Sequence, residues 1–404
     1  MANKILLFIS SAQAVAAHWR GRRIVRCEVF QPDDEGIAAF AGFLVSAGNT
    51  PAFVVADTVE EDYRFETLPH ATGSDRTSLL DRKMRQYYRN TRFVSALPRG
   101  RIGDKRRDDR YLFSALTNPA LVDPWLAVIA QHGSPVAGVY LAPMLTAAIL
   151  SKLKVSLSRV LVAAPHRSGL RLTFYKDGEF CTSRLTRAIP KDDDAAAQML
   201  ATELSNTRLY LSTLHFDSID EPLSVVILDR DDRLAPIVGR ISADGHGLEY
   251  SCVNRETLTR QLSVSPQHLD LALETIYLRA LAENPPTENL APLAITAGYQ
   301  LLQRKNTLYA ASAALGLAGV LWTGYNLWSI RDLMQETTTA AGRTAAAQAQ
   351  YKEITRTFPD APTASDNLIK AVSVYREIVK LVRSPQSFMQ IGRASCRERV
   401  SKQV

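Results

Sequence analysis

Chemistry-bearing motifs are what this 404-residue sequence lacks. Its four cysteines, at 27, 181, 252 and 396, include no pair at metal-ligand or redox-motif spacing, so neither a zinc site nor a thioredoxin-like centre is expected. Seven histidines are scattered, and there is no Gly-x-x-x-x-Gly-Lys-Ser/Thr, His-Glu-x-x-His or Gly-x-Ser-x-Gly, which removes P-loop, zincin and serine-hydrolase chemistry. A large net charge is lacking as well. Lys and Arg number 48 against 41 acids, a net charge of +7, and clusters such as Arg99-Gly100-Arg101 and Lys105-Arg106-Arg107 alternate with Asp104, Asp108 and Asp109 in what reads as a solvated loop. No basic face interleaved with stacking aromatics accompanies them, so nucleic acid is excluded as a partner. The apolar core after Lys4 is only Ile5 to Ile9, short for the h-region of a signal peptide, so a strand is the expected reading there.

What the chain does have is one long apolar run. From Thr307 to Ile330 there are 24 consecutive uncharged residues, TLYAASAALGLAGVLWTGYNLWSI. As a helix at about 1.5 Å per residue it would span roughly 36 Å, enough for a hydrocarbon core of about 30 Å. A buried core helix would show a polar stripe, whereas Thr307, Ser312, Thr323, Asn326 and Ser329 are scattered. Tyr309 near one end and Trp322, Tyr325 and Trp328 toward the other suit a membrane interface.

Before the run, hydrophobic periodicity repeats a pattern. Residues 4–30 read as a three-strand meander with a turn at Gly21, followed by a helix (GIAAFAGFLVSAG) and a strand (AFVVAD). Residues 158–187 read as a second meander, followed by a helix from about Asp193 to Leu214 and a strand LSVVILD. Two such units predict a duplicated two-lobed α/β fold. Between them, Thr77–Tyr88 and Pro119–Gln131 read as helices, Tyr111–Leu116 and VAGVYLAP as strands, with a helix to Leu153; SCVN and Pro266–Ala282 follow as strand and helix. Asp192, Asp193 and Asp194 are placed to cap a helix. Asp229, Asp231 and Asp232, alternating with Arg230 and Arg233, read as a solvated loop rather than a cation site; His215 and Asp217 sit near a helix end, and His166 in a hairpin loop.

Three prolines in Glu283–Pro292 mark a linker. Beyond the run, Ile330, Leu333, Thr337, Ala340, Thr344, Ala347, Tyr351, Ile354 and Phe358 step by threes and fours, a heptad seam with a weak middle; a single Ala-rich helix is the alternative. Pro359 and Pro362 end this stalk, and Asn367–Arg383 is a further amphipathic helix. Ile391–Val400, IGRASCRERV, reads as a translated sequencing-adapter oligonucleotide, so residues 391–404 are expected to be a read-through artefact that replaces a natural continuation past Gln390.

Together the duplicated meander, the segment Asn289-Leu290-Ala291-Pro292, basic Arg304 and Lys305, one span and a helical stalk resemble the inner-membrane assembly-platform proteins of type IV pilus and type II secretion systems. The part before Asn289 resembles the PilM, MshI and GspL types, the part after it the PilN type. The resemblance implies an actin-like (ribonuclease H-like) cytoplasmic domain over 1–283, a linker over 284–306, a transmembrane helix over 307–330, a possible coiled-coil stalk over 331–358 and the start of a periplasmic domain over 359–390. It also implies a single-pass protein of the bacterial inner membrane with its N-terminal part cytoplasmic. Its partners would be other platform proteins, through the stalk and the cytoplasmic domain, and the assembly ATPase.

In the actin-like fold two Asp-x-Gly hairpins and a Gly-Gly turn hold the nucleotide. Here the corresponding places read Phe8-Ile9-Ser10-Ser11, Ala163-Ala164-Pro165-His166-Arg167-Ser168-Gly169 and Leu228-Asp229-Arg230-Asp231-Asp232. Neither hairpin carries its acid, so no catalysis, cofactor or metal is expected. Were ATP to bind, Ser10, Ser11, Ser168 and Gly169 would offer the donors. The resulting expectation is a non-catalytic scaffold, with an actin-like ATPase of the same machinery and a membrane-anchored sensor as the alternatives.

Overall fold

The computed structural model describes residues 3–102, 108–242, 247–357 and 364–383. Two compact units divide it, the first ending at Leu308 and the second beginning at Tyr309. The expected readings at Lys105–Arg107, at Phe358 to Pro362 and from Ser384 onward lie outside the described residues.

In the first unit both predicted meanders form. Strands β1 (Lys4–Ser10), β2 (Ala14–Arg20) and β3 (Arg23–Phe30) run antiparallel, and helix α1 (Asp34–Ala47), started by the Asp33 carboxylate on the Gly36 amide, returns the chain to β4 (Ala52–Asp57) parallel to β1. The later meander is β9 (Arg159–His166), β10 (Gly169–Lys176) and β11 (Glu179–Leu185), then α5 (Asp193–Thr213) and β12 (Leu223–Leu228), again parallel to the first strand of its unit. Asp192 caps α5 as expected, accepting from the Ala195 amide at 2.8 Å. With β8 (Val136–Leu141) and β13 (Leu248–Val253) added, the sheets have the orders β3-β2-β1-β4-β8 and β11-β10-β9-β12-β13, position for position the same.

Alternation along the strands of these two sheets builds three of the cores among the described residues. Ile5, Leu7 and Ile9 of β1 face α1 and α3 (Asp123–Gln131), packing on Phe40, Phe43 and Trp125. Leu6 and Phe8 face the opposite way and join Val160, Val162 and Ala164 of β9 in a core shared by both sheets with α4 (Pro143–Lys152) and α9 (Thr275–Glu283). Leu161 and Ala163 face α5 and α6 (Leu234–Ile241).

Several elements add to or depart from the expected ones. Strands β5 (Glu61–Pro69) and β6 (Val94–Ile102) flank β7 (Asp108–Leu116) in a small third sheet inserted between β4 and β8, packed on α2 (Gly73–Tyr87). The cluster Arg99–Arg101, expected in a solvated loop, is thus in a strand, with a register shift between Pro98 and Arg101. Helices α6 and α7 (Arg255–Leu262) add to the expected elements. The helix expected over Pro266–Ala282 is broken into α8 (Pro266–Leu271) and α9, because Ala272 is extended and Glu274 and Thr275 are buried in the interior.

Helix α10 (Leu293–Arg356) is 64 residues long, beginning inside the expected linker and carrying the apolar run without interruption. By length and composition it suffices to cross a membrane. In the second unit it continues through the expected stalk, where the seam residues Leu333, Tyr351 and Ile354 are exposed, and α11 (Ser365–Arg383) follows.

Candidate functional site

Strand pairing brings the two hairpin turns to one residue. Ser10, the last residue of β1, is the register partner of Asp57, the last of β4. The Ser10 hydroxyl donates to the Gln13 carbonyl at 2.8 Å and accepts from the Gln13 amide at 3.2 Å, so the β1–β2 turn closes on itself. Ser11 is exposed. From the other lobe, the Ser168 hydroxyl of the β9–β10 turn donates to Asp57 Oδ2 at 3.0 Å. Gly169 is needed beside it, since a Cβ there would stand 2.0 Å from the Thr186 carbonyl oxygen. Ser10 and Ser168 do therefore converge, but each hydroxyl already has a protein acceptor.

Arg171 fills the centre. Every residue from Gly169 to Tyr175 of β10 is buried, Leu170, Leu172 and Phe174 against α5 and Arg171 on the opposite face toward the first lobe. Arg171 and Asp57 are both fully buried, with Nε of the guanidinium donating to Asp57 Oδ1 at 2.9 Å and Nη2 in ion-pair contact with the same oxygen at 2.7 Å. Nη2 also donates to the Thr58 carbonyl at 3.0 Å, and Nη1 to Glu61 and to Ser183 Oγ. Burial alone would raise the Asp57 pKa, but the Arg171 charge, the nearby His166 and the Ser168 hydroxyl outweigh it and hold the carboxyl below its usual range. Glu61 goes the other way: burial, reinforced by the Asp57 charge, pushes it up to about 7 despite Arg171.

Next to this network, the break between α8 and α9 aims Glu274 into the interior. Glu274 accepts from Gln13 Nε2 at 3.1 Å and lies 3.5 Å from His166 Nδ1. His166 ends β9 and is buried, its ring stacked on Phe8 at 5.6 Å and tilted on Tyr277 at 5.1 Å, rather than placed in an open hairpin loop. Burial would lower its pKa, yet Asp57 and Glu274 raise it above the ordinary histidine value. A 560 Å³ cleft opens from here, lined by Gln13, His166, Arg167, Lys191, Arg230 and Glu274 among others.

The expected solvated loop at Asp229 is corrected. Asp229 is buried and accepts from the amides of Arg233, Leu234 and Ala235, which makes it the N-terminal support of α6. Asp217 likewise is no surface residue: it is nearly buried and paired with Arg159. No group of His, Cys, Asp and Glu is arranged to hold a metal among the described residues. Sequence reasoning missed Asp57, Glu61, Arg171 and Glu274. The one signal available was an arginine held between Leu170 and Leu172 within a strand.

This network predicts a pH dependence. Glu61 and His166 have raised values in the folded chain, so each favours folding most at low pH and loses that contribution as pH rises toward and through its folded value; Asp57, depressed, acts only at more acidic pH. The melting midpoint should therefore fall as pH rises from about 5 through about 7, the range set by Glu61, and go on falling above the ordinary histidine value as His166 gives up its proton. His166→Gln should flatten the slope, and an unchanged slope in that variant would show that the histidine takes no part.

A second arrangement lies at the edge strand β8. Asn289 Oδ1 accepts from the Val139 amide at 3.0 Å and from the Ala291 amide at 3.0 Å, and its Nδ2 donates to the Ala137 carbonyl at 3.1 Å. The Leu290 amide donates to the Val139 carbonyl, and the Leu290 carbonyl accepts from Val94. Leu290 itself is fully buried in the core of the first lobe. Gly138 makes the room, because a Cβ there would sit 2.7 Å from Asn289 Nδ2. Asn289–Ala291 is thus an added strand-like clasp just before α10.

Two sheets of identical order, each a three-strand meander followed by two parallel strands, with the cleft and the hairpin turns between them, decide the architecture. The chain has the actin-like fold. Among solved structures it is similar to a chain of the PilM-PilN type IV pilus biogenesis complex, at 14% identity over 69% of this chain and 97% of that one, with a TM-score of 0.51. Two further similarities are more distant. The cytoplasmic domain of EpsL, an inner-membrane component of the type II secretion system of Vibrio cholerae, is 11% identical over 56% of this chain and 82% of its own, with a TM-score of 0.35. A Bacteroides thetaiotaomicron protein with an actin-like ATPase fold is 8% identical over 62% and 90%, with a TM-score of 0.37. No protein-family model and no curated protein matches the sequence. At these identities the likeness speaks for the actin-like fold alone.

Proposed function

We propose that this chain is a non-catalytic, bitopic scaffold of the inner-membrane platform that assembles type IV pili or drives type II secretion. The observation that carries the reading is the clasp: the Asn-Leu-Ala-Pro segment, which resembles the one preceding the span in PilN-like proteins, is seated on the actin-like unit and leads directly into an apolar helix. PilM and PilN occur as a complex in the similar solved structure, and here one chain joins the two kinds of part. The absence of catalysis is supported by the engagement of Asp57 and Glu61 with Arg171 and of both hairpin serines with protein acceptors. Arg304 and Lys305 before the span, against Arg331 followed by Asp332 after it, favour a cytoplasmic N-terminal unit. The stalk would pair with a similar helix of another platform protein, and the actin-like unit would meet the assembly ATPase.

Reporter fusions test this. Alkaline phosphatase joined after Gln350 should be active and a cytoplasmic fluorophore at the same place dark. The reverse pattern would invert the topology and end the platform reading. Purified full-length protein in detergent should release no more phosphate from Mg-ATP than a heat-killed sample, and turnover above that control would replace the scaffold with an ATPase.

A further inference from the structure

Away from the cleft, a 430 Å³ cavity lies where the third sheet, α4 and β10 meet, walled by Tyr63, Leu112, Leu145, Tyr175 and Phe180. It holds buried polar groups that have no hydrogen-bond partner among the described residues: the hydroxyl of Ser114, fully buried in β7, and the buried Nε of Arg99. Both residues line the cavity. Leaving such groups unpaired costs on the order of 1–3 kcal/mol each, so a pair of them in one hollow calls for an acceptor.

Local structure explains how they come together. Arg99 lies in the register shift between Pro98 and Arg101 of β6, and a bulge of this kind turns a side chain out of the regular alternation. Its ion-pair partner among the described residues is Glu288, at a long 3.4 Å. Glu288 ends the segment Asn284-Pro285-Pro286-Thr287-Glu288, which lies over the cavity and runs straight into the clasp. Aromatic and aliphatic side chains form one part of the wall, Arg99, Ser114, Ser151 and Glu288 give it polar groups, and the closing segment is short: this is the form of a small-molecule site.

We propose that the cavity binds a small hydrophobic carboxylic acid. Its carboxylate takes hydrogen bonds from Arg99 Nε and Ser114 Oγ, in place of the long contact to Glu288, and its apolar body packs among Tyr63, Tyr175 and Phe180. A carboxylate is the acceptor that fits, because it answers a guanidinium charge and a hydroxyl donor at once. This inference concerns a site separate from the platform reading and does not depend on it.

Equilibrium dialysis of the full-length chain in nanodiscs, against empty nanodiscs, provides the test. The probe is 4-biphenylcarboxylate, and its neutral carboxamide is the control. The acid should be retained by the protein nanodiscs and the carboxamide on the order of tenfold less. Arg99→Gln should reduce retention of the acid about tenfold while leaving the carboxamide unchanged. Ala148→Phe, which fills the cavity from α4 without touching a charge, should abolish retention of both. Because Ala148→Phe could disturb packing, its melting midpoint is measured alongside, and Ala147→Leu serves as a milder filling. Equal retention of acid and carboxamide, indifference to Arg99→Gln, or retention by both filled variants at an unchanged midpoint would each overturn the proposal. So would a density map showing only ordered water bridging Ser114 and Arg99.

Discussion

Arg171→Met should destabilise the actin-like unit by about 3–5 kcal/mol, as measured by urea unfolding of the full chain in detergent. Methionine matches the arginine stem in length and apolar character, so the loss comes from what is left behind. Asp57 would keep only the Ser168 hydroxyl, and Glu61 would lose its guanidinium partner, both carboxyl groups being shielded from solvent. Breaking one side of a buried pair costs far more than the pair itself contributes, because the desolvated charge remains. The triple variant Arg171→Met, Asp57→Asn, Glu61→Gln supplies the control. It removes all three charges and should recover most of the lost stability. If the single and triple variants unfold alike, the loss stems from packing and the clamp between the lobes is not electrostatic.

The same cluster shows where sequence reading stops. Strands β1, β2, β4, β9, β10 and β12 were legible because each carries an apolar run bounded by turn residues, and the duplication was legible because the two runs of elements repeat in order. Strand β6 was not. Val94–Ile102 contains Pro98, Gly100 and two arginines, a composition that propensity assigns to a loop, and only pairing with β7 and the bulge make it a strand. The break after Leu271 was hidden for a related reason: an apolar period continues across it, while burial of Glu274 against Gln13 and His166 decides the backbone. As for the site, Asp57 and Arg171 are 114 residues apart, and nothing in local pattern tells which acid a buried arginine will meet. The hairpin turns carrying Ser10 and Ser168 could be read from the sequence, but the acceptors of their hydroxyls, the Gln13 carbonyl and Asp57, were visible only in three dimensions.

The clasp yields the other large effect. Leu290→Asp should cost more than the 2–5 kcal/mol typical of truncating a buried leucine, since it adds an unpaired carboxylate to the lost packing against the first-lobe core. That sum exceeds what the Asn289 bonds hold at about 1 kcal/mol each, so the segment should leave β8 rather than bury the charge. Limited proteolysis reads this out as faster cleavage between Glu283 and Pro292, with β1 and β4 still protected. Gly138→Ala approaches the clasp from the other side: its new methyl would overlap the Asn289 carboxamide, while Leu290 remains intact. If the clasp ties the actin-like unit to the start of α10, both variants should cleave at the same place, Leu290→Asp faster. Should Gly138→Ala cleave no faster than the unmodified protein, the carboxamide bonds contribute little and burial of Leu290 alone holds the segment. Resistance of Leu290→Asp as well would mean that α10 is retained through its own first turns, with Thr296 buried and Tyr299 packed on Phe53, and that the clasp is not the point of attachment.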